Sequence, residues 1–159
     1  MGQVKEIPVT LPHPALPESD WADAWQVVVD PPFVRARDAA EAIVGSFPAW
    51  TYPALAVRQI IVTPFGLKGA DSVSKQADVV GIFPVTDETT SRLVAGFDDT
   101  HLDFRIIVDL DPTETGQAVT LTTAIRRHNT IGRAYLQMVL PFHRTIIRSA
   151  LGKAARRRA

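Results

Sequence analysis

Three ionisable residues alternate along an apolar stretch of the sequence: His101, Asp103 and Arg105. Side chains two positions apart lie on the same face of a strand, so Asp103 is flanked on its own face by a histidine and an arginine. A histidine beside a carboxylate can transfer a proton, and an arginine can bind an anionic oxygen. The same spacing fits a network of ion pairs on the outer face of a sheet. The sequence leaves both interpretations open.

His128 and His143 are two further candidates for acid–base catalysis. His143 follows Pro141 by two residues, so it can serve as a base, as a ligand, or as a buried histidine bonded to a carbonyl group that the proline frees. The four histidines lack paired spacings such as HExxH, and no metal site is predicted. The sequence also lacks GxGxxG, GxxxxGK[ST] and GxSxG, so no cofactor is predicted.

Short apolar segments separated by turn-rich sequence predict the elements that position these residues. Strands are expected over residues 22–30, 79–86, 90–98, 101–110 and 117–127. The last four are too close together for parallel crossovers, so they must be antiparallel. Helical spacing predicts two short helices between the first and second strands, the second over residues 48–65, and a long helix from about residue 130. The predicted fold is α+β, with a curved antiparallel sheet wrapped around the long C-terminal helix.

An apolar strand face and an apolar helix face predict a pocket between the sheet and that helix. The expected helix face consists of Ile131, Tyr135, Met138, Val139, Phe142 and Ile146, and Asn129 or Thr130 is expected to cap the helix. Pro141 should kink the helix and open space beneath it. The candidate ligand-binding residues are Trp50, Leu102, Phe104, Tyr135, Met138, Phe142 and His143, with Phe65 at the rim. Ordinary core packing is the alternative role for each of them.

Length and composition predict how the chain is divided into a domain and flanking segments. The 159 residues predict one domain over residues 21–155, an extended proline-rich arm over residues 1–20 and a basic tail over residues 156–159. Apolar residues of the arm need a surface to pack on, and we expect that surface to be the face that carries Asp103. The absence of cysteine excludes disulfides and thiol chemistry. With no leader segment and no long apolar run, a cytoplasmic setting and no membrane contact are expected.

Charge is distributed unevenly along the chain. All 17 acidic residues lie at or before Glu114, whereas the residues from Thr115 onward hold nine basic residues and no acidic one. One interpretation is an anion-binding face. The other is that the last strand and helix are matched electrostatically to the rest of the domain. Aromatic residues do not alternate with the basic tail, so nucleic-acid binding is not predicted.

Several segments resemble the DUF2867 family of uncharacterised bacterial proteins. They are "DDTHLDFR", "HNTIGRAYL" and "PFHRTIIRSAL", preceded by "WADAWQV" and "PAWTYPALAVRQIIVTPFGL". The resemblance spans about residues 20–155. It implies a fold similar to the START/Bet v 1-like helix-grip (SRPBCC) superfamily, in which six or seven strands are usual where we count five. It also implies that such a domain can accompany an NAD(P)-binding, reductase-like domain, which these residues do not contain, so no cofactor is carried over.

The leading functional expectation is a domain that binds a small, mostly apolar ligand between the sheet and the C-terminal helix. An acid–base enzyme acting on a small carbonyl or polyketide-like substrate is the alternative. It requires a polar pair such as His101 with Asp103, or His128 with His143, to face the pocket. A third expectation is an interaction domain whose basic C-terminal segment docks a separate acidic or reductase-like protein.

Overall fold

Seven antiparallel strands form the sheet. The computed structural model describes residues 2–47, 78–81, 83–98 and 100–158, with side chains to residue 156. The strands are β1 (Lys5–Ile7), β2 (Trp21–Val29), β3 (Val79–Val80), β4 (Phe83–Glu88), β5 (Arg92–Asp98), β6 (Leu102–Thr113) and β7 (Gly116–Arg127), and the helices are α1 (Ala36–Val44) and α2 (Thr130–Arg158). Their order in the sheet is β1-β2-β7-β6-β5-β4-β3. Strands β3 to β7 therefore form a meander, and β2 pairs with the last strand of it.

The predicted α+β class, antiparallel meander and long C-terminal helix are confirmed. The segment expected as one strand over residues 79–86 is divided between β3 and β4, and β1 adds a strand that the prediction lacked. Of the two short helices, α1 lies between β2 and β3, and residues 48–65 lie outside the described residues. In the described part of the chain, no helix is both long and apolar enough to cross a membrane.

The inner face of the sheet, which packs against α1 and α2, is mostly apolar. Strand β6 contributes alternate residues to it, and α1 contributes a stripe of small residues. The core includes Ile106, Val108, Leu110, Val119, Leu121, Ala36, Ala39, Ala40 and Ile43. In the register of β6 and β7, Ile106 lies opposite Thr123 and Val108 lies opposite Leu121. These paired residues therefore share the inner face of the sheet. The predicted inner face of the strand after His101 is confirmed.

The buried face of α2 differs from the predicted one. Its buried apolar side chains are Leu136, Ile147, Ala150, Leu151, Ala154 and Ala155. Met138 and Phe142, which were expected to face the sheet, are 74% and 58% exposed. The prediction followed the large side chains, whereas the alanines of the C-terminal half allow the helix to approach the core closely. The helix also continues through Pro141 and through residues 156–158 of the segment expected to form a basic tail.

The N-terminal arm covers part of the outer face of the sheet. Leu16 packs in a second apolar cluster with Val94, Ile107 and Ala124, and Ile107 is fully buried beneath it. The carboxylate of Glu18 forms an ion pair with Arg126 of β7. The expectation that the arm lies over the outer face is confirmed for the segment around Leu16 and Glu18, whereas Val4 packs against the inner core and residues 5–7 form β1.

Candidate functional site

The sheet and the long helix are joined by a buried polar pair, Asp23 and His143. Asp23 lies on the inner face of β2, opposite Thr123 of β7. Trp21 and Trp25 lie on the same face of the strand. His143 lies on the α2 stripe that packs against the sheet. The imidazole Nε2 lies 3.1 Å from Oδ1 and 3.0 Å from Oδ2 of the Asp23 carboxylate.

Two tryptophans enclose this pair. The indole Nε1 of Trp25 donates a hydrogen bond of 3.0 Å to Oδ2 of Asp23. The ring of Trp21 meets the imidazole of His143 edge to face, with 5.7 Å between the ring centroids. Asp23 is buried, and the side chain of His143 is mostly buried. The carboxylate thus receives donors from both a strand and a helix, as a buried carboxylate requires.

An apolar cluster lies beside the pair. Leu102, Ile125 and Leu136 are buried at its centre, and Trp21, Phe104, Tyr135 and Leu140 are partly buried around them. Trp21 belongs to this cluster and also contacts His143, so the polar pair lies at the edge of an aromatic and aliphatic region. Three of the predicted ligand-binding residues, Leu102, Phe104 and Tyr135, meet here.

The orientation of the pair fixes the chemistry open to His143. An ionised carboxylate only accepts hydrogen bonds, so Nε2 carries the hydrogen that points to Asp23. In the neutral ring, Nδ1 then holds the lone pair. A histidine held in this way by a carboxylate can accept a proton at Nδ1, and the carboxylate stabilises the resulting imidazolium.

Asp103 and Arg105 lie on the outer face of β6, and His128 directly follows β7. Asp103 is bonded to His128, with 2.9 Å between Oδ1 and Nε2, rather than to His101. Arg105 donates to the carbonyl oxygen of Phe104 at 2.8 Å and forms an ion pair of 2.8 Å with Asp98. Asp103 and Arg105 therefore bond to partners outside the sheet–helix interface.

His101 has a different environment from its strand neighbours. Asn129 caps α2, because its Oδ1 accepts the backbone N–H of Gly132 at 3.0 Å. The Nδ2 amide of Asn129 lies 2.7 Å from Nδ1 of His101 and can donate a hydrogen bond to it, because the helix cap uses only Oδ1. The other ring nitrogen, Nε2, is buried and has no hydrogen-bond partner among the described residues. Asn129, one of the two expected caps, is thereby confirmed in that role.

The structure separates the predicted ligand-binding residues into groups. Leu102, Phe104, Tyr135 and His143 lie at or beside the sheet–helix interface. Met138 and Phe142 are largely exposed on α2. Trp50 and Phe65 lie outside the described residues. Among the described residues, no three histidines, aspartates or glutamates are grouped so that they could hold a metal ion.

Sequence reasoning missed Asp23 as a site residue. The signal was present, because Asp23 alternates with two tryptophans on a strand whose inner face is otherwise apolar. A lone carboxylate among such residues requires a buried partner. The partner is 120 positions away, and its identity depends on the rotation of α2.

One protein-family model matches the part of the chain that contains most of the elements forming this site. The model of DUF2867, described as a protein of unknown function, matches residues 15–150. The chain belongs to the DUF2867 family. No curated protein matches the chain. The DUF2867 match contains β2 and α2 up to residue 150, and so includes both Asp23 and His143.

Proposed function

We propose that this DUF2867 protein binds a small, mostly apolar molecule between the sheet and α2, in an arrangement of helix-grip type. The observation that carries the proposal is the buried Asp23–His143 pair at the edge of an apolar cluster. Ligand sites commonly combine an apolar wall with a few placed polar groups. Leu102, Phe104 and Tyr135 supply the wall, and Nδ1 of His143 supplies a polar group to orient the ligand.

Native mass spectrometry of the purified protein tests for a bound small molecule, and titration with a neutral naphthylamine dye measures the apolar site. His143→Ala should weaken dye binding, because it removes the orienting ring and disturbs Trp21. Ile146→Ala is the matched control, a partly buried position on the same helix outside the cluster. The proposal fails if no molecule co-purifies and both variants bind the dye as the parent protein does.

Acid–base catalysis is the second candidate function. It is favoured by the contact of Nε2 with both carboxylate oxygens of Asp23, which leaves Nδ1 to accept a proton. The substrate would be a small carbonyl or polyketide-like compound with an acidic C–H bond. Deuterium uptake by a panel of small ketones, followed by mass spectrometry, should occur with the parent protein and be lost in His143→Gln. Uptake that is equal in both proteins would exclude His143 as the base.

Docking of a separate reductase-like protein remains a third proposal. It is supported by the exposed basic side chains of α2, which are Arg133, Arg144, Arg148, Lys153 and Arg156. A pull-down with the parent protein and with charge-neutral variants of α2, alongside gel filtration, distinguishes it from ligand binding.

A further inference from the structure

A groove of about 440 Å³ lies at the far end of α2 from its N-terminal cap. One wall is the chain segment formed by residues 2–4, which runs beside β2 and is held there by a hydrogen bond of 3.2 Å from the Gly2 N–H to the Val28 carbonyl. The other wall is the C-terminal half of α2. The groove is distinct from the site around His143, because none of the residues of the apolar cluster lines it.

The helical wall presents donors on a single face. Thr145, Arg148, Ser149, Gly152 and Arg156 are spaced at i, i+3, i+4, i+7 and i+11, which places them in one stripe. The Arg148 guanidinium lies 5.9 Å from the centroid of the Trp25 ring, a cation–π contact that restrains it over the sheet. Gly152 leaves room between the two arginines.

The charge of this groove is not neutralised within the described part of the chain. Elsewhere, the described arginines lie within ion-pair distance of a carboxylate; these are Arg35, Arg37, Arg92, Arg105, Arg126 and Arg127. The described basic side chains of α2 have no such partner among the described residues; these are Arg133, Arg144, Arg148, Lys153 and Arg156. Electrostatic matching therefore accounts for the arginines of β7 but not for those of the helix.

We propose that this groove binds a small molecule through a phosphate group. The guanidinium groups of Arg148 and Arg156 present planar sets of donors that suit phosphate oxygens, and the hydroxyls of Thr145 and Ser149 add neutral donors. Among the described residues, no carboxylate lines the groove to compete for them. The volume falls within the range of about 300–1,000 Å³ found for ligand sites. A free phosphate ester and a phospholipid headgroup share this chemistry.

Calorimetric titration at fixed ionic strength tests the proposal, with glycerol 3-phosphate as the soluble probe. Vesicles of phosphatidic acid, compared with vesicles of phosphatidylcholine, test the lipid source of the same group. Because Arg148 lies over Trp25, binding should also change tryptophan emission. Binding of glycerol 3-phosphate identifies a soluble ester as sufficient, and binding of phosphatidic acid vesicles alone identifies a lipid headgroup. If the parent protein binds neither probe, the proposal is overturned.

Two double variants with the same net charge distinguish phosphate binding at this groove from general electrostatic attraction to the basic helix. Arg148→Gln with Arg156→Gln should weaken binding by about tenfold or more, as expected for lost charge-assisted hydrogen bonds. Arg144→Gln with Lys153→Gln removes two unpaired charges that do not line the groove, and should change affinity by less than about twofold because such charges are screened by salt. Equal losses in both variants, or no loss in the first, would overturn the proposal.

A third variant blocks the groove without changing charge. A Cβ at position 152 would lie 3.5 Å from Nη1 of Arg156 and 4.0 Å from Cγ2 of Val4, which are ordinary contacts. Gly152→Leu should therefore fold and project into the groove, and we expect it to abolish phosphate binding while both arginines remain. Undiminished binding by a folded Gly152→Leu protein would place the phosphate elsewhere.

Discussion

Asp23 and Asp98 are two carboxylates on the same sheet in opposite environments. Asp23 is buried and accepts hydrogen bonds from Trp25 and His143, whereas the side chain of Asp98 is mostly exposed beside Arg105. Removal of a buried carboxylate leaves its donors without partners, whereas water replaces an exposed one. The two residues therefore provide a comparison of burial with the charge of the deleted side chain held constant.

We expect Asp23→Ala to lower the free energy of unfolding by about 3 kcal/mol, because it leaves the Trp25 indole and the His143 imidazole without their acceptor. Asp98→Ala, the control, should lower it by about 0–1 kcal/mol. Urea denaturation followed by circular dichroism measures both. Equal losses would show that the Asp23–His143 contact is not a buried interaction.

His13 makes the stability of the arm depend on pH. Burial of the ring, assisted by the nearby positive charge of Arg92, lowers the pKa of His13 below its usual 6.5. Its Nδ1 accepts the backbone N–H of Ala15 at 3.0 Å. The unfolded chain therefore binds a proton more readily than the folded one, and this contribution to stability is present above pH 6.5 and is lost as the pH falls through the lowered pKa.

His13→Asn tests this linkage, because asparagine keeps an acceptor for the Ala15 N–H and does not titrate. Between about pH 7.5 and about pH 5, the urea midpoint of the parent protein should fall by more than that of the variant. The two proteins share all other titrating groups. The difference between their decreases in urea midpoint therefore measures the contribution of His13. Identical falls would mean that the ring is solvated in the folded protein.

At the scale of elements, two glycines of α2 have opposite roles. Gly132 lies in the first turn, where a Cβ would overlap the carbonyl oxygen of His101. Gly152 lies in the interior of the helix, where a Cβ would make only ordinary contacts. Gly132 allows the helix to begin close to the backbone of His101. Gly152 lowers helix stability, and no close backbone contact within the described part of the chain requires a glycine there.

Gly152→Ala should raise the free energy of unfolding by about 0.5–1 kcal/mol through helix propensity. Gly132→Ala should lower it by about 1–3 kcal/mol, because the backbone of β6 and α2 must move apart. Thermal melts of the two variants give opposite shifts if the helix start is packed as described. A stabilising Gly132→Ala would show that α2 does not approach His101 closely.

Apolar segments bounded by turn-rich sequence were sufficient to predict β6 and β7, and the alternation along β6 identified its inner face. These patterns could not predict β1, whose three residues are exposed or only partly buried and belong to the sheet through backbone pairing with β2. The face of α2 was mispredicted for a related reason. Alanines carry little signal in a hydrophobic pattern, but Ala150 and Ala154 determine which side of the helix meets the sheet.

At the scale of the whole molecule, the sheet is covered on both faces by different means. Among the described residues, α1 and α2 pack on the inner face, and the segment of the arm around Leu16 packs on part of the outer face. This explains why β7 is buried along most of both faces, with Leu121 turned towards the helices and Ala124 towards the arm. The candidate site near His143 and the phosphate groove both lie on the helical side. The part of the arm around Leu16 therefore acts on them only through the stability of the sheet, whereas residues 2–4 line the groove directly.

Leu16→Ala tests whether the arm stabilises the domain. Leu16 is 7% exposed over Ile107, so truncation should lower the free energy of unfolding by about 2–4 kcal/mol. Leu11→Ala is the matched control, because Leu11 belongs to the same arm and is 44% exposed, and its loss should be within about 0.5 kcal/mol. Urea denaturation gives both values, and limited proteolysis of the arm should be faster in Leu16→Ala alone. If the two variants unfold at the same urea concentration as the parent protein, the arm rests on the sheet without stabilising it, and β6 must be stable with Ile107 open to water.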